Sequence, residues 1–326
     1  MNQYRYIGLG GPFLEDFKLL DSFFPGLEKV SFEYDEQTFR RQLFNKPTRL
    51  IRLKHGDMIA GIEAEIVDDT PVIVWYDSTQ ATDEIFDGFV SLIDKVPNNS
   101  IVRVTMRVGR KECNPYHKLA VSLSGALRTK LSGLSIAECE KDVLMEDVDR
   151  IVKERIDELA GQQGGLVTIS RYLPVDHQKM LNEPNGLVRV LFRAIHRAVS
   201  ETFPSGCGRT FRLLNASYYS DGTKMLSVTG VVVAESTEKD FMRKFEGTAF
   251  ARARWTDDPV QIDMPILTPK ERLHLNKIIP VKKDPGRRLR RRLGFSIDPS
   301  EVTSDNEMEM YNRFYRYYPM FAKVAL

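Results

Sequence analysis

Apolar positions follow two periods over the first hundred residues. Residues 4–9 (YRYIGL), 29–32 (KVSF), 49–53 (RLIRL), 71–76 (PVIVWY) and 100–108 (SIVRVTMRV) are short β-rich runs. Between the first two, Phe13, Phe17, Leu20 and Phe24 fall four, three and four apart, which is one helical stripe. Pro12 is expected in the first turn of that helix, where its missing N–H costs nothing. Residues 35–44 (DEQTFRRQLF) begin acidic, as a helix N-terminus favours. Ile85, Phe89, Leu92, Ile93 and Val96 give residues 83–96 helical spacing. The run 71–76 is apolar throughout and predicts a strand buried on both faces.

Strands alternating with helices predict βαβ units and a parallel sheet. Right-handed crossovers bring the loops after each strand to one edge, and ligands of such sheets bind there. Further on, residues 136–160 read as a charged helix stopped by Gly161, Gly164 and Gly165, and 187–203 as an amphipathic one. Two β-rich runs, 211–219 and 224–233, meet around Asp221-Gly222, the signal of a tight hairpin. That hairpin adds an antiparallel pair to the sheet. Thr268-Pro269-Lys270-Glu271 is a capping box that starts a helix. Residues 296–309 are polar and predict a mobile linker. Tyr311, Phe314, Tyr315 and Tyr318 share one helical face and are expected to dock on the body.

The fold class expected is α/β: a Rossmann-like, mostly parallel sheet with helices on both faces and a terminal antiparallel hairpin. Residues 1–110 and 186–233 form that domain, 111–185 a mainly helical insertion, and 234–326 a C-terminal extension with a basic segment and an aromatic tail helix.

Composition narrows the class. The chain has 326 residues, 42% hydrophobic and 28% charged, as a globular chain with a proper core requires. A formal net charge of +2 says nothing about partners. No run approaches the roughly 18 apolar residues of a membrane helix, and the first residues lack the pattern of a signal peptide. Cys113, Cys139 and Cys207 are odd in number and widely spaced. They argue against a disulfide framework or a zinc site and predict a cytoplasmic setting. His55, His117, His177, His196 and His274 form no HxH or HxxxH cluster, so no protein-ligated transition metal is expected. His55 alone lies near the carboxyl edge.

Gly8, Gly10 and Gly11 follow the first strand and open a helix. Missing side chains let a cofactor approach the backbone, and helix N–H groups bind carboxylate or phosphate; a tight turn without ligand is the alternative. Glu33 ends the second strand and can accept both hydroxyls of a ribose, or act as a helix N-terminal acid. Asp57 follows the third strand and can meet an adenine amino group, or be a turn acid. Asp77 ends the fourth strand. It can orient a hydroxyl, act as a base or hold a metal, or cap the next helix; Ser78 and Thr79 add hydrogen-bonding groups. Arg287, Arg288, Arg290, Arg291 and Arg292 form a basic cluster suited to nucleic-acid phosphates, or to bridges with the chain's own acids.

The opening YRYIGLGGPFLEDFKLL, the stretch EYDEQTFRRQLFNKP and the strand IVWYDST resemble bacterial O-methyltransferases of the class I S-adenosylmethionine-dependent superfamily, some of them near phage-defence genes. The likeness covers residues 4–110 and 187–233. It implies S-adenosylmethionine as cofactor, its methionine part cradled by the glycine loop, and methyl transfer, O-methylation included, to an unknown acceptor, with phage defence as a setting. Three departures stand out. Tyr6 occupies a position where the superfamily often has an acid, and Pro12 replaces a third glycine. The fourth strand is not followed by (D/N)PP(Y/F), which speaks against nucleobase N-methylation. Asn114-Pro115-Tyr116 follows the fifth strand instead and reads as a turn. These departures keep open a catalytically inactive binding module that contacts nucleic acid or a protein partner. A nicotinamide-dependent dehydrogenase is allowed by the glycine loop but opposed by the hairpin and the incomplete GxGxxG.

Overall fold

A computed structural model describes residues 4–66, 68–109, 125–133, 137–161, 167–220, 223–245 and 254–317. Asp221-Gly222, Asn114-Pro115-Tyr116, Cys113, His117, Gly164, Gly165 and Tyr318 lie outside the described residues. The chain divides into two compact units, Met1–Tyr218 with Gly222–Pro259, and Tyr219–Asp221 with Val260–Leu326.

The first unit is built on strands β1 (Arg5–Gly8), β2 (Glu28–Glu33), β3 (Ile51–His55), β4 (Val72–Ser78), β5 (Ser100–Arg107), β6 (Arg209–Ser220) and β7 (Lys224–Ala234). They lie in the order β3-β2-β1-β4-β5-β7-β6. The first five are parallel, and β7 runs antiparallel to β5. Strand order reverses between β1 and β4, the switch point where such sheets open a crevice. Among its described helices are α1 (Glu15–Phe23), α2 (Glu36–Asn45), α3 (Met58–Ile62), α4 (Asp83–Lys95), α5 (Glu138–Gly161) and α6 (Gly186–Thr202).

Alternation along the strands decides which helix covers which face. Ile7, Val30, Val74, Val102 and Val104 pack with Phe86 and Phe89 of α4 and Leu191 and Ile195 of α6. Each of those fully buried aromatic rings stabilises the fold by about 2–3 kcal/mol. The other face sets Tyr6 and Ile51 against Leu14 and Phe17 at the start of α1.

Two expectations are corrected in this unit. Along β4, Val72, Val74 and Tyr76 are buried while Ile73 and Trp75 are half-buried, so the strand is not buried on both faces. The face bearing Trp75 carries polar neighbours, Arg103 and Thr105, instead of a second apolar layer. The first helix starts at Glu15, not beside Pro12. Gly11 (φ 52°) and Leu14 (φ 53°) are left-handed and break the helical path between them. Phe13 is therefore 49% exposed, and Leu14, Phe17, Leu20 and Phe24 carry the apolar contacts.

In the second unit, β8 (Val260–Ile262) precedes α7 (Pro269–Asn276), α8 (Pro285–Leu293) and α9 (Glu301–Phe314). Leu267, Leu275, Val281, Leu289, Met308 and Tyr311 form its core. Both capping-box bonds of α7 are made, Thr268 N–H to Glu271 Oε2 at 2.6 Å and Glu271 N–H to Thr268 Oγ1 at 3.3 Å. The linker expected over 296–309 is corrected: α9 occupies most of it, with Ser300 accepting from Thr303 N–H as its cap. Ser304, Met308 and Tyr311, spaced four and three apart, are its buried stripe. Tyr311 and Phe314 are buried, and Tyr315 packs against this unit's core.

Candidate functional site

Register fixes the crevice. Gly8 stands level with Ser31 of β2, and Glu33 with His55 of β3. Strand β4 pairs with β1 through Val74 and continues through Asp77 and Ser78. The ends of β1 and β2 and the extension of β4 thus flank the loop that follows Gly8.

That loop is clamped from β2 and α2. Gly10 N–H donates to Ser31 Oγ at 3.1 Å, Gln42 Nε2 donates to the Gly11 carbonyl at 2.9 Å, and Asn45 Nδ2 to the Pro12 carbonyl at 2.8 Å. The glycines differ in what their missing side chains permit. A Cβ on Gly10 would stand 2.2 Å from Leu14 Cδ2 and 3.0 Å from Phe17 and Ser31 Oγ, so this glycine lets the loop close on the protein itself. A Cβ on Gly8 would meet the Tyr6 hydroxyl at 2.9 Å. Gly11 has nothing within 4 Å and a left-handed backbone, so its chain faces open space.

Glu33 is half-buried at the end of β2, and its Oε1 accepts from Asp35 N–H at 2.9 Å. Asp35 caps α2 by accepting from Thr38 N–H at 2.7 Å, so the capping role open to Glu33 is filled by its neighbour. Asp57 is exposed and caps α3, accepting from Ala60 N–H at 2.9 Å. Burial, with the Asp57 charge adding to it, pushes the Tyr76 phenol up to about 12. The His55 ring is engaged locally, with Nε2 3.0 Å from the Tyr34 carbonyl and 3.3 Å from Glu36 Oε2.

Asp77 does not cap the next helix, because α4 begins after Thr82. It is exposed at the end of β4, yet surrounding protein raises its carboxyl above the usual range, and Arg103 offsets part of that rise. Ser78 Oγ accepts from Gln80 N–H at 3.1 Å.

Four residues that sequence reasoning did not select as site residues join this region. Tyr6 donates to Asp16 Oδ2 at 2.8 Å. Burial raises the Asp16 carboxyl; Tyr6 and backbone N–H groups hold it down, and the Asp77 charge raises it further. Arg103 lies 4.1 Å over the Trp75 ring and donates from Nε to Ser227 Oγ at 2.7 Å. Trp75 Nε1 donates to Thr105 Oγ1 at 2.9 Å. The sequence signal was an arginine inside the apolar run 100–108, on the register partner of Trp75. The first turn of α1 already carries Glu15 and Asp16. Those acids stand at the positive end of the α1 dipole.

An open cleft of about 460 Å³, lined by Asp68, Lys95, Pro97 and Arg209 among others, lies at the opposite edge, where β4 and β5 begin. Among the described residues, no three of His, Cys, Asp and Glu gather as a metal site, and no helix is long and apolar enough to cross a membrane.

The second unit brings the arginine cluster onto α8. Arg290 bonds Asp305 Oδ1 at 2.6 Å and Glu301 Oε1 at 3.1 Å. Arg287, Arg288, Arg291 and Arg292 are exposed.

A family profile described as "Putative O-methyltransferase" matches residues 1–326. No curated protein matches the chain. Among solved structures, the O-methyltransferase TomG from Streptomyces achromogenes, in complex with S-adenosylmethionine, is 11% identical, with 70% of this chain and 73% of that chain covered and a TM-score of 0.33. A "putative caffeoyl-CoA O-methyltransferase" from Staphylococcus aureus is 10% identical, with 71% and 78% covered and a TM-score of 0.31. A chain of a fibrillarin/Nop5p complex is 11% identical at a TM-score of 0.28; the match covers 39% of this chain and only 61% of that one.

Proposed function

The chain belongs to that O-methyltransferase family, and on this premise we propose that it transfers a methyl group from S-adenosylmethionine to an oxygen of an acceptor. The observation that carries the reading is the clamped loop after β1. Its Gly11 backbone opens onto space one strand away from Glu33. In this reading Glu33 would accept the ribose hydroxyls, and Gly8, Gly10 and Gly11 would shape the seat of the methionine part. Asp57 would accept from the adenine amino group through the carboxylate oxygen that does not cap α3.

S-adenosylmethionine supplies, when bound, a methyl carbon on a sulfonium that keeps the C–S electron pair as the methyl leaves. Asp77 takes the proton of the acceptor hydroxyl as that oxygen forms its new bond to carbon. A carboxylate raised above its usual range is the better base, and Arg103 offsets part of that rise. The rest of the catalysis is positioning and exclusion of water.

Calorimetry with S-adenosylmethionine on the wild type and on Glu33→Ala tests the reading. The expected result is saturable heat in the first and at least tenfold weaker binding in the second. No heat with folded wild-type protein overturns it. Binding without methyl transfer to any offered hydroxyl acceptor supports the inactive binding module instead. Phage defence is the proposed setting on the resemblance alone, and phage plating with and without the gene tests it.

A further inference from the structure

We infer that α8 of the second unit is a nucleic-acid surface that grips backbone phosphates without reading sequence. This is independent of methyl transfer. Within Pro285–Leu293, Gly286 and Leu289 are buried, Leu293 is half-buried, and a Cβ on Gly286 would stand 2.0 Å from the Asp305 carbonyl oxygen. That side is therefore fixed against α9. Arg290 adds a third anchor through Asp305 and Glu301. At about 100° per residue, Arg287, Arg291, Arg288 and Arg292 fall in that order on one arc of about 140°, away from the buried side.

All four are exposed, and among the described residues none of their guanidinium groups makes a hydrogen bond or ion pair. Arg290 shows that acids of the same unit were available to bind an arginine on this helix. Exposed Lys282 and Lys283 extend the charge ahead of Pro285. Helix-end charge balance calls for basic residues in the last turn only, whereas Arg287 and Arg288 stand in the first turns.

The chemistry on the arc selects the partner. Guanidinium groups form paired hydrogen bonds to phosphate oxygens and stay charged at every physiological pH. The surface is a convex helix face, so it suits a line of phosphates more than a single anion in a pocket. No aromatic residue lies on the arc, so bases are not stacked and binding depends on charge alone. The apolar side of α8 is turned into the core, and an interfacial membrane helix needs that side free.

The test is fluorescence anisotropy of the full chain with a labelled duplex DNA of mixed sequence across a sodium chloride series. Each phosphate contact contributes about −0.9 to the slope of log K against log salt. Replacing Arg287, Arg288, Arg291 and Arg292 by alanine, with Arg290 kept, is expected to weaken binding at least tenfold and flatten the slope by about 3 to 4. Two double variants, Arg287→Ala with Arg291→Ala and Arg288→Ala with Arg292→Ala, are each expected to remove about half of that slope. They keep the test open if the fourfold variant loses its thermal transition. Wild-type protein that fails to bind duplex at low salt overturns the inference, and so does an unchanged slope in folded variants. Equal or tighter binding to phosphatidylserine vesicles or to polyglutamate overturns it in favour of a membrane or an acidic protein.

Discussion

Tyr6 and Asp16 are joined by a 2.8 Å hydrogen bond that ties strand β1 to the first turn of α1 across the glycine loop. The phenol donates and the carboxylate accepts, so the bond is charge-assisted. It holds the Asp16 carboxyl down against burial and against the Asp77 charge, both of which push it up. Burial and the same two carboxylates push the Tyr6 phenol upward, which keeps it the donor.

Replacing Tyr6 by phenylalanine removes the donor and leaves a half-buried carboxylate with fewer partners. The expected cost is about 1–3 kcal/mol, seen as a lower thermal midpoint. The Asp16 carboxyl is expected to titrate at higher pH than in the wild type, measured by carbon-13 shift. An Asp16 titration that stays in place would show that the bond has no electrostatic role.

Gly10→Ala and Gly11→Ala separate packing from ligand access. At Gly10 the new Cβ meets Leu14, Phe17 and Ser31 at 3.0 Å or less, and the expected loss is about 1–3 kcal/mol of stability. At Gly11 the space is open and only the left-handed backbone (φ 52°) is penalised, at about 1 kcal/mol. Cofactor affinity, measured by calorimetry, is expected to fall more for Gly11→Ala than its thermal midpoint suggests. Equal behaviour of the two variants in both measurements would remove the distinction.

Much of this arrangement was legible in the sequence because it rests on local patterns. The strands up to β5, the hairpin strands β6 and β7, and the Thr268 cap each follow from alternation, helical spacing or turn chemistry within about ten residues. The Asp16–Tyr6 bond and the Arg103–Trp75 stack were not legible, since each depends on which strands become neighbours. The same holds for α9. Its apolar stripe of Met308 and Tyr311 sits in a segment otherwise so polar that it reads as a linker, and only the core built by α7 and α8 explains its folding. At Gly10 the residue type was informative but its reason was not: the contact that demands glycine comes partly from Ser31, twenty-one residues away.

Asp77→Asn is expected to raise stability at neutral pH. The folded carboxyl is raised relative to the unfolded chain, so the folded state binds this proton more tightly. Its contribution favours folding at low pH and is lost as pH rises through the folded value. The amide cannot ionise and escapes that loss. Thermal midpoints of the two proteins are therefore expected to differ at pH 7 and to converge near pH 4, with the variant higher at pH 7. A variant that is less stable at pH 7 would mean that Asp77 makes a compensating contact in the folded protein.

Arg103 sets the other half of that balance. Its charge lowers the Asp77 carboxyl, and the indole of Trp75 at 4.1 Å together with Ser227 Oγ at 2.7 Å fixes the guanidinium in place. Arg103→Ala removes the charge that favours the ionised form, so Asp77 is expected to titrate at still higher pH. Arg103→Lys keeps the charge but loses the flat stacking surface and the fixed Nε donor, so an intermediate titration is expected. Carbon-13 titration of the Asp77 carboxyl in the three proteins reads this directly and needs no acceptor. Once an acceptor is in hand, the acidic limb of its kcat/KM profile is expected to move to higher pH in the same order, wild type, lysine, alanine. That order follows only if Asp77 is the proton acceptor in transfer. A carboxyl titration that shifts while the pH profile does not would assign the proton to another group and leave Asp77 with an electrostatic role alone.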